Sequence, residues 1–387
     1  MDEAVNPARA AAPSDPADPA IAAPAVFARE YEEAREKFLA AARRCGARVQ
    51  HWPHPLAGPR GEALATDSAW VGADDAHRVL VVISGTHGAE GLAGSGPQTD
   101  LLSGPAPAHL PADTALLLMH AVNPHGFAWG RRVTEENVDL NRNWIDFTQP
   151  LPANPGYERL REHYNPASLD AATLARHEAA IEAYRREHGV HAERVARSTG
   201  QYVDPQGIFY GGTGPTWARR TSEAILAAHL AQAKTVAVVD LHTGLGPWGY
   251  GEPICNHAPG SERVARARRW WGQSVTEPLL GTSSSQEKTG LTEFGYERAL
   301  AHADIAFVAL EFGTYGPPHG EHALRDDAWL WQHGRPRDRD NAETQRIRAE
   351  LREYFSPSRD DWREAVLWRS RQVFRQALHG LAGGECR

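Results

Sequence analysis

Histidine and glutamate side chains recur immediately after the most apolar segments of this sequence. The residues concerned are His87, Glu90, His242 and Glu311. Two histidines and one carboxylate form a ligand set that holds catalytic zinc, with a further position left for water. His87 and Glu90 are three positions apart, so a single turn of chain can bring both to one ion, and Glu311 can accept a proton from water as a general base. The pattern predicts one hydrolytic metal site.

Continuous apolar segments rich in β-branched residues must position these side chains. The segments cover residues 79–83, 115–120, 235–241 and 305–310. Segments that are apolar throughout are typical of strands in a sheet that is covered on both faces. Ligands of open α/β sheets lie beyond the carboxyl ends of such strands. We therefore expect the four candidate side chains to meet at one edge of the sheet.

Helical and strand patterns alternate along the chain. Helical patterns lie near residues 27–44, 168–197, 217–232, 261–271, 340–354 and 361–379, and alternating stretches near 49–56 and 63–71 predict antiparallel strands. This alternation predicts an α/β fold, a three-layer sandwich in which helices flank a mixed, mostly parallel sheet. The Ala- and Pro-rich residues 1–26 predict a flexible tail. Residues 27–387 then form a single domain with a polar helical excursion near 148–200.

Charge and cysteine usage exclude several classes of protein. The 387 residues carry 49 acidic and 41 basic side chains, with a formal net charge of −8. Nucleic-acid binding needs a clustered basic surface and is not expected. Three distant cysteines without a CxxC motif exclude a cysteine-rich zinc module and suit a reducing compartment. No stretch reaches 18 apolar residues and no signal-peptide pattern begins the chain, so we expect a cytoplasmic protein that binds no membrane. The oligomeric state is left open.

Three other features are interpreted as structural. Residues 244–249, GLGPWG, satisfy a GxGxxG pattern, but their proline opposes the helix that a dinucleotide site needs. We expect a loop there, at the border of the metal pocket. Residues 319–322, HGEH, are expected to form a polar loop with solvated histidines. Arg131 is expected to pair with Glu135 and Glu136 on the surface.

Five motifs carry a resemblance to a known family. HGAE, NPHGF, VDLNRNW, DLHT and LEFG occur in this order over about residues 78–315. They resemble the zinc carboxypeptidases of the carboxypeptidase A superfamily, which also holds acyl-amino-acid hydrolases such as succinylglutamate desuccinylase and aspartoacylase. The THGxEG start of the first motif resembles a bacterial, cytoplasmic branch of that superfamily.

The resemblance implies roles for the residues of the predicted metal site. His87, Glu90 and His242 correspond to the ligands of one Zn²⁺ per chain, and Glu311 corresponds to the general base. Asp139 corresponds to the carboxylate that orients the first zinc histidine, since a carboxylate on the second ring nitrogen fixes the ring and its tautomer.

The resemblance also implies residues that contact the substrate. Arg132 corresponds to the arginine that polarises the scissile carbonyl. Asn141 and Arg142 correspond to the pair that grips the terminal carboxylate of the substrate. Tyr250 and Tyr315 are the candidates for the tyrosine that hydrogen-bonds the substrate.

Together these roles imply cleavage of an amide bond next to a free carboxylate, in a short peptide or another small molecule. An N-acyl-amino-acid deacylase or small-molecule amidase using the same site is the alternative. A non-catalytic metal-binding relative is a third interpretation, and the presence of Glu311 argues against it. A sugar deacetylase is a fourth, and Arg142 argues against it because sugar substrates lack a carboxylate.

Overall fold

A seven-stranded mixed sheet forms the centre of the protein in the computed structural model, which describes residues 23–383. The strands are β1 (Arg48–Ala57), β2 (Ala63–Val71), β3 (Arg78–Ile83), β4 (Thr114–His120), β5 (Thr235–Trp248), β6 (Gly251–Ile254) and β7 (Asp304–Gly313). Their order is β1-β2-β4-β3-β5-β7-β6. Strands β4, β3, β5 and β7 are parallel to one another, and the pairs β1–β2, β2–β4 and β6–β7 are antiparallel. The predicted α/β fold with a mixed, mostly parallel sheet is confirmed.

The central strands are apolar throughout because both of their faces are buried. Successive side chains of a strand point to opposite faces of the sheet. In β3, Leu80 and Val82 pack in one apolar cluster, whereas Val79 and Val81 pack in another on the opposite face. The four predicted apolar strands are all present. β6 was not predicted, because Gly251–Ile254 is a short edge strand without an apolar pattern.

Helices cover both faces of the sheet. They are α1 (Ala23–Val26), α2 (Tyr31–Arg44), α3 (Gly91–Ser103), α4 (Pro124–Trp129), α5 (Pro155–Tyr164), α6 (Ala171–His188), α7 (Val190–Ser198), α8 (Trp217–Leu230), α9 (Glu262–Trp271), α10 (Thr292–Ala299), α11 (Pro317–His333), α12 (Ala342–Phe355) and α13 (Asp360–Leu381). Helices α5–α7 occupy the predicted polar stretch near 148–200, and the division into one domain stays a prediction. Within residues 23–383, no helix has the length and apolar character needed to cross a bilayer.

The last four residues of the predicted tail form a helix. Residues 1–22 lie outside the described part of the chain, but residues 23–26 form α1. Val26 and Phe27 are buried in the apolar cluster on one face of the sheet. The ring of Phe27 lies directly over Gly96 of α3, where a Cβ would come within 2.7 Å of it. Val26 and Phe27 thus pack this segment against the core.

Two predicted loops are regular structure. Residues 319–322 lie in the first turns of α11, which begins with Pro317 and Pro318. Proline is favoured at the start of a helix because its φ is already helical, so the prolines begin the helix and do not mark a loop. The GLGPWG segment continues β5 as far as Trp248, with Gly244 and Gly246 at positive φ. Its expected place beside the metal pocket is described below.

Candidate metal centre

The carboxyl ends of three parallel strands bring the predicted ligands together. A 3-10 turn, Gly88–Glu90, follows β3 and carries the HGAE motif. His242 lies in β5 and pairs in register with Glu311 of β7. One ligand atom from each of His87, Glu90 and His242 lies within 4.8 Å of the others, and all three residues are buried. The structure therefore confirms that a single His/Glu/His group that could hold one metal ion forms at this edge.

The orientation of the two imidazoles fits a metal ligand set. Nδ1 of His87 and Nδ1 of His242 lie 2.8 and 3.0 Å from the two carboxylate oxygens of Glu90. The Nε2 atoms lie 3.0 Å from Asp139 Oδ1 and 2.9 Å from Asp240 Oδ2. The carboxylate at Nε2 of His242 favours a proton on that nitrogen, which leaves the lone pair of Nδ1 for a metal. Nε2 of His87 lies between Asp139 and Nη2 of Arg132, which is 2.9 Å away, while its Nδ1 faces Glu90. The donor set is therefore two Nδ1 atoms and one carboxylate.

The charges at this edge favour a cation. Burial by itself raises the pKa of Glu90, but His87 and His242 outweigh it, so the pKa is lowered and the carboxylate is ionised. Burial lowers the pKa of His242, yet Asp240 and Glu90 raise it well above its ordinary value. The raised pKa of His242 expresses the negative charge of Asp240 and Glu90 beside its ring, which a divalent cation would offset.

A close backbone contact explains why the motif contains Gly88. A Cβ on Gly88 would lie 2.1 Å from the carbonyl carbon of Gly126 and 2.3 Å from the nitrogen of Phe127, both in α4. The Gly88 N–H also donates to the carbonyl of Arg132 at 3.0 Å. The HGAE and NPHGF motifs therefore meet backbone against backbone, and this contact fixes the turn between His87 and Glu90.

Replacing Gly88 by Ala is expected to destabilise the protein and to weaken metal binding together. Backbone atoms cannot move aside as a side chain can, so the turn or α4 must shift, at a cost of about 1 to 3 kcal/mol in the free energy of unfolding. Urea unfolding and zinc titration of the variant would measure both effects. As a control, Gly214→Ala should change neither, because nothing lies within 4 Å of a Cβ there. An unchanged zinc affinity in Gly88→Ala would contradict this account of the motif.

Glu311 lies beside the ligand group and is placed to accept a proton. Its side chain is 8% exposed, and Oε1 accepts the backbone N–H of Leu245 at 3.0 Å. Residue 245 belongs to GLGPWG, so that segment does border the pocket. Burial raises the pKa of Glu311 and Glu90 raises it further, whereas His242 and Lys288 oppose the shift. A raised pKa brings a carboxylate nearer to the range in which a general base works.

Arg132 reaches into the ligand group. Its Nη1 lies 2.8 Å from Glu90 Oε1, and its Nε lies 3.4 Å from Asp139 Oδ2. Burial lowers the pKa of the guanidinium, but Asp139, Glu90 and Glu311 outweigh it, so Arg132 is a permanent cation at the site. The neighbouring Arg131 is buried, although the sequence predicts it on the surface.

Arg131 is buried against residues of α11. It is 3% exposed, its Nη2 donates to Asn137, and its guanidinium lies over the ring of Trp331 and 3.6 Å from Asp327. The predicted pairing with Glu135 and Glu136 is wrong. The true partners come from α11, far along the chain, so nearby acidic residues could not reveal them.

The predicted carboxylate-binding pair lies next to Asp139. Asn141 donates its backbone N–H to Asp139 Oδ1 and accepts the N–H of Thr292 on its side-chain oxygen, at 2.9 and 2.8 Å. Arg142 is fully buried and donates to the carbonyls of Ser198 and Asn141. Three of its five N–H donors are used in these contacts. The roles of both residues in substrate binding stay predictions.

The two predicted tyrosines have different surroundings. Tyr250 is 46% exposed at the turn between β5 and β6. Tyr315 donates its hydroxyl to Glu353 at 2.6 Å and packs edge-on against Trp248. Neither hydroxyl has a described contact with the ligand group, and their roles stay predictions.

Three residues at the site were missed from the sequence. Asp240 holds Nε2 of His242 as Asp139 holds that of His87, and its position two residues before the histidine could have indicated this. Tyr354 donates its hydroxyl to the carbonyl of Gly244. Burial raises the pKa of Tyr354 to about 12, and the charge of Glu311 adds to that effect, whereas Arg132 opposes the shift. The third residue is Lys288, whose charge acts on Glu311.

Lys288 brings a further cation to the pocket. Burial lowers its pKa to about 8, the charge of Arg142 adds to that effect, and Glu311 opposes it. The loop that carries it is fixed at Gly290, where a Cβ would lie 2.2 Å from the carbonyl oxygen of Arg142. No sequence pattern pointed to this residue, because the contact joins segments almost 150 positions apart.

Comparisons with known proteins give a family and several distant structural likenesses. No curated protein matches the chain. Bovine thrombin-activatable fibrinolysis inhibitor is 12% identical with a TM-score of 0.42, covering 85% of this chain and 98% of that one. Carboxypeptidase A from Helicoverpa armigera is 12% identical with a TM-score of 0.41, covering 85% and 74%. Succinylglutamate desuccinylase from Chromobacterium violaceum is 16% identical with a TM-score of 0.34, covering 83% and 73%.

A family described as "Protein of unknown function (DUF2817)" matches residues 27–369. The match includes every predicted ligand, the predicted base and the residues predicted to contact substrate. Because it covers most of the sequence, the chain belongs to the DUF2817 family.

Proposed function

We propose that this protein is a zinc-dependent hydrolase that cleaves an amide bond next to a free carboxylate. One observation carries the proposal: two imidazole Nδ1 atoms face the carboxylate of Glu90 while carboxylates hold both Nε2 atoms, and Glu311 lies across the ladder from His242. This arrangement supplies metal ligands, oriented rings and a base at one edge of the sheet.

The side chains of the site have separate tasks in this reaction. His87, Glu90 and His242 would hold a zinc ion, which would supply Lewis-acid activation of a carbonyl and of water. The Glu311 carboxylate takes a proton from the attacking water and then gives it to the leaving nitrogen. The Arg132 guanidinium stabilises the negative charge that develops on the carbonyl oxygen. The buried carboxylates of Glu90 and Asp139 contact this guanidinium and hold it in place.

The cations beside the ligand group favour a substrate with a carboxylate. Arg142 keeps two N–H donors after its backbone contacts, and Asn141 is adjacent to it. Lys288 adds a positive charge near both. Anchoring the carboxylate positions the scissile carbonyl near Glu311, and such positioning increases the rate of reaction. The substrate is accordingly a short peptide or an N-acyl amino acid.

Removing the negative charge from the substrate is expected to reduce its cleavage. A charge-assisted hydrogen bond contributes about 1.5 to 3 kcal/mol, so kcat/KM for an amino-acid carboxamide should be about 10- to 100-fold below that for the free acid. A panel of N-acyl amino acids, dipeptides and their carboxamides would measure this ratio with zinc-loaded protein. Equal rates for acids and carboxamides would contradict the proposed specificity.

The same panel distinguishes a carboxypeptidase from a deacylase. Both reactions use the same ligands, base and arginine, so the preferred members of the panel decide between them. An N-acyl-amino-acid deacylase would prefer single amino acids carrying a simple acyl group. A carboxypeptidase would prefer dipeptides or longer chains.

A further inference from the structure

A second group of metal-ligating side chains lies outside the site described above. It consists of His257, which follows β6, and of Glu293 and Glu297 in α10. One ligand atom from each residue lies within 4.8 Å of the others. We propose that these three residues form a second divalent-cation site, with Zn²⁺ as the cation that best suits its donors. The proposal does not depend on the proposed hydrolase function.

The helix and the strand end bring the three donors to one point. Glu293 and Glu297 are four positions apart in α10 and therefore lie on the same face of the helix. Nε2 of His257 is 2.6 Å from Glu297 Oε1 and 3.3 Å from Glu293 Oε1. The imidazole is itself steadied by an edge-on contact with the ring of Phe294. One nitrogen that follows β6 and two carboxylate oxygens from α10 thus converge.

Glu293 is held as a ligand would be. Its side chain is 2% exposed, and Asn256 donates to Oε2 from its side chain at 2.8 Å and from its backbone at 3.1 Å. These contacts orient the carboxylate so that Oε1 faces His257. A divalent cation at this point would lie between the Glu293 and Glu297 carboxylates and offset their negative charge.

A buried thiol lies beside the same carboxylate oxygen. Cys255 is 1% exposed, and its Sγ lies 3.8 Å from Glu293 Oε1. The thiol lies beside the group, but the three converging ligand atoms are those of His257, Glu293 and Glu297. An imidazole nitrogen among the ligand atoms is typical of zinc sites and not of magnesium or calcium sites.

The competing explanation is an ion-pair network without a metal. Nη1 of Arg263 lies 3.0 Å from Glu297 Oε1 and could neutralise that carboxylate. Its side chain is 41% exposed, however, so it can move into solvent when a cation takes its place. Arg263 has no described contact with Glu293, which leaves the more deeply buried carboxylate with His257 alone as its cationic partner.

Zinc stoichiometry of the full-length protein tests the proposal. After removal of metal by a chelator and reloading with zinc chloride, wild type should hold two zinc ions per chain. His87→Ala/His242→Ala and Glu293→Gln/Glu297→Gln should each hold one, and the combined variant none. One zinc in wild type, none in the histidine variant and one in the glutamine variant would overturn the second site and leave the first intact.

Matched variants separate metal binding from a loss of folding. Glu178→Gln/Glu182→Gln is the control, because it removes two carboxylates that are also four positions apart on a helix but are exposed. Glu178 also lies near a histidine, with its Oε1 3.6 Å from Nε2 of His322. This control variant should keep both zinc ions. Within the His87→Ala/His242→Ala background, zinc should raise Tm. Adding His257→Gln should abolish that rise while leaving the metal-free Tm near its starting value. A rise in Tm that survives His257→Gln would also overturn the proposal.

Discussion

Glu311→Gln is expected to lower kcat for amide hydrolysis by about 10²- to 10⁴-fold without changing the zinc content of the protein. The amide is nearly isosteric with the carboxylate but cannot accept a proton. Glu311 is not one of the three ligands, so the His87, Glu90 and His242 group should still hold its ion. Initial rates on the best substrate of the panel, together with metal analysis, measure the two effects in one preparation.

Glu252 offers a matched control for this variant. It lies opposite Glu311 in the antiparallel pair of β6 and β7, so the two carboxylates are near neighbours. Its oxygens accept hydrogen bonds from Thr276 and Ser284. A carboxylate engaged in this way is a poor base, and Glu252→Gln should lower kcat by less than about 10-fold. A loss as large as that of Glu311→Gln, or full activity in Glu311→Gln, would show that the base is wrongly assigned.

His87→Ala/His242→Ala is expected to remove one equivalent of zinc and all measurable hydrolysis. A single carboxylate, Glu90, then remains of the three ligands, and one monodentate or bidentate carboxylate cannot hold zinc against a chelator. Metal analysis after loading with zinc chloride and gel filtration in buffer without chelator, followed by the hydrolysis assay, gives both results. His109→Ala, which removes an exposed histidine, should change neither value. Retention of the wild-type zinc content by the double variant would mean that the metal lies elsewhere.

The strands and the ligand group could be predicted because local pattern determines them. A strand buried on both faces is apolar at every position, and 79–83 or 235–241 has this pattern in the sequence itself. The ligands follow from it, since parallel strands of one sheet end at the same edge. The common edge brings together the four side chains His87, Glu90, His242 and Glu311. Their meeting follows from the direction of the strands and not from any individual side-chain contact.

The remaining features depend on contacts between distant segments. Arg131 is buried by Asp327 and Trp331, almost 200 positions later, so its local acidic neighbours were misleading. Lys288 enters the pocket because Gly290 packs on the backbone of Arg142. The group around His257 and Glu293 likewise joins a strand end to a helix 36 positions away. The local sequence carries no signal for such pairs. Pro317 and Pro318 occur equally in loops and at the first turn of a helix, so the sequence around them did not predict the start of α11.

Chelator-dependent hydrolysis tests the central claim most directly. Zinc-loaded protein would be assayed on the panel of N-acyl amino acids and dipeptides, then treated with chelator, and then reloaded with zinc chloride, beside Glu311→Gln treated in the same way. We expect activity to be lost with the metal and restored with it in wild type, and to be lower by about 10²- to 10⁴-fold in zinc-loaded Glu311→Gln. Hydrolysis that persists in metal-free protein, or equal hydrolysis by Glu311→Gln, would contradict the assignment of this site.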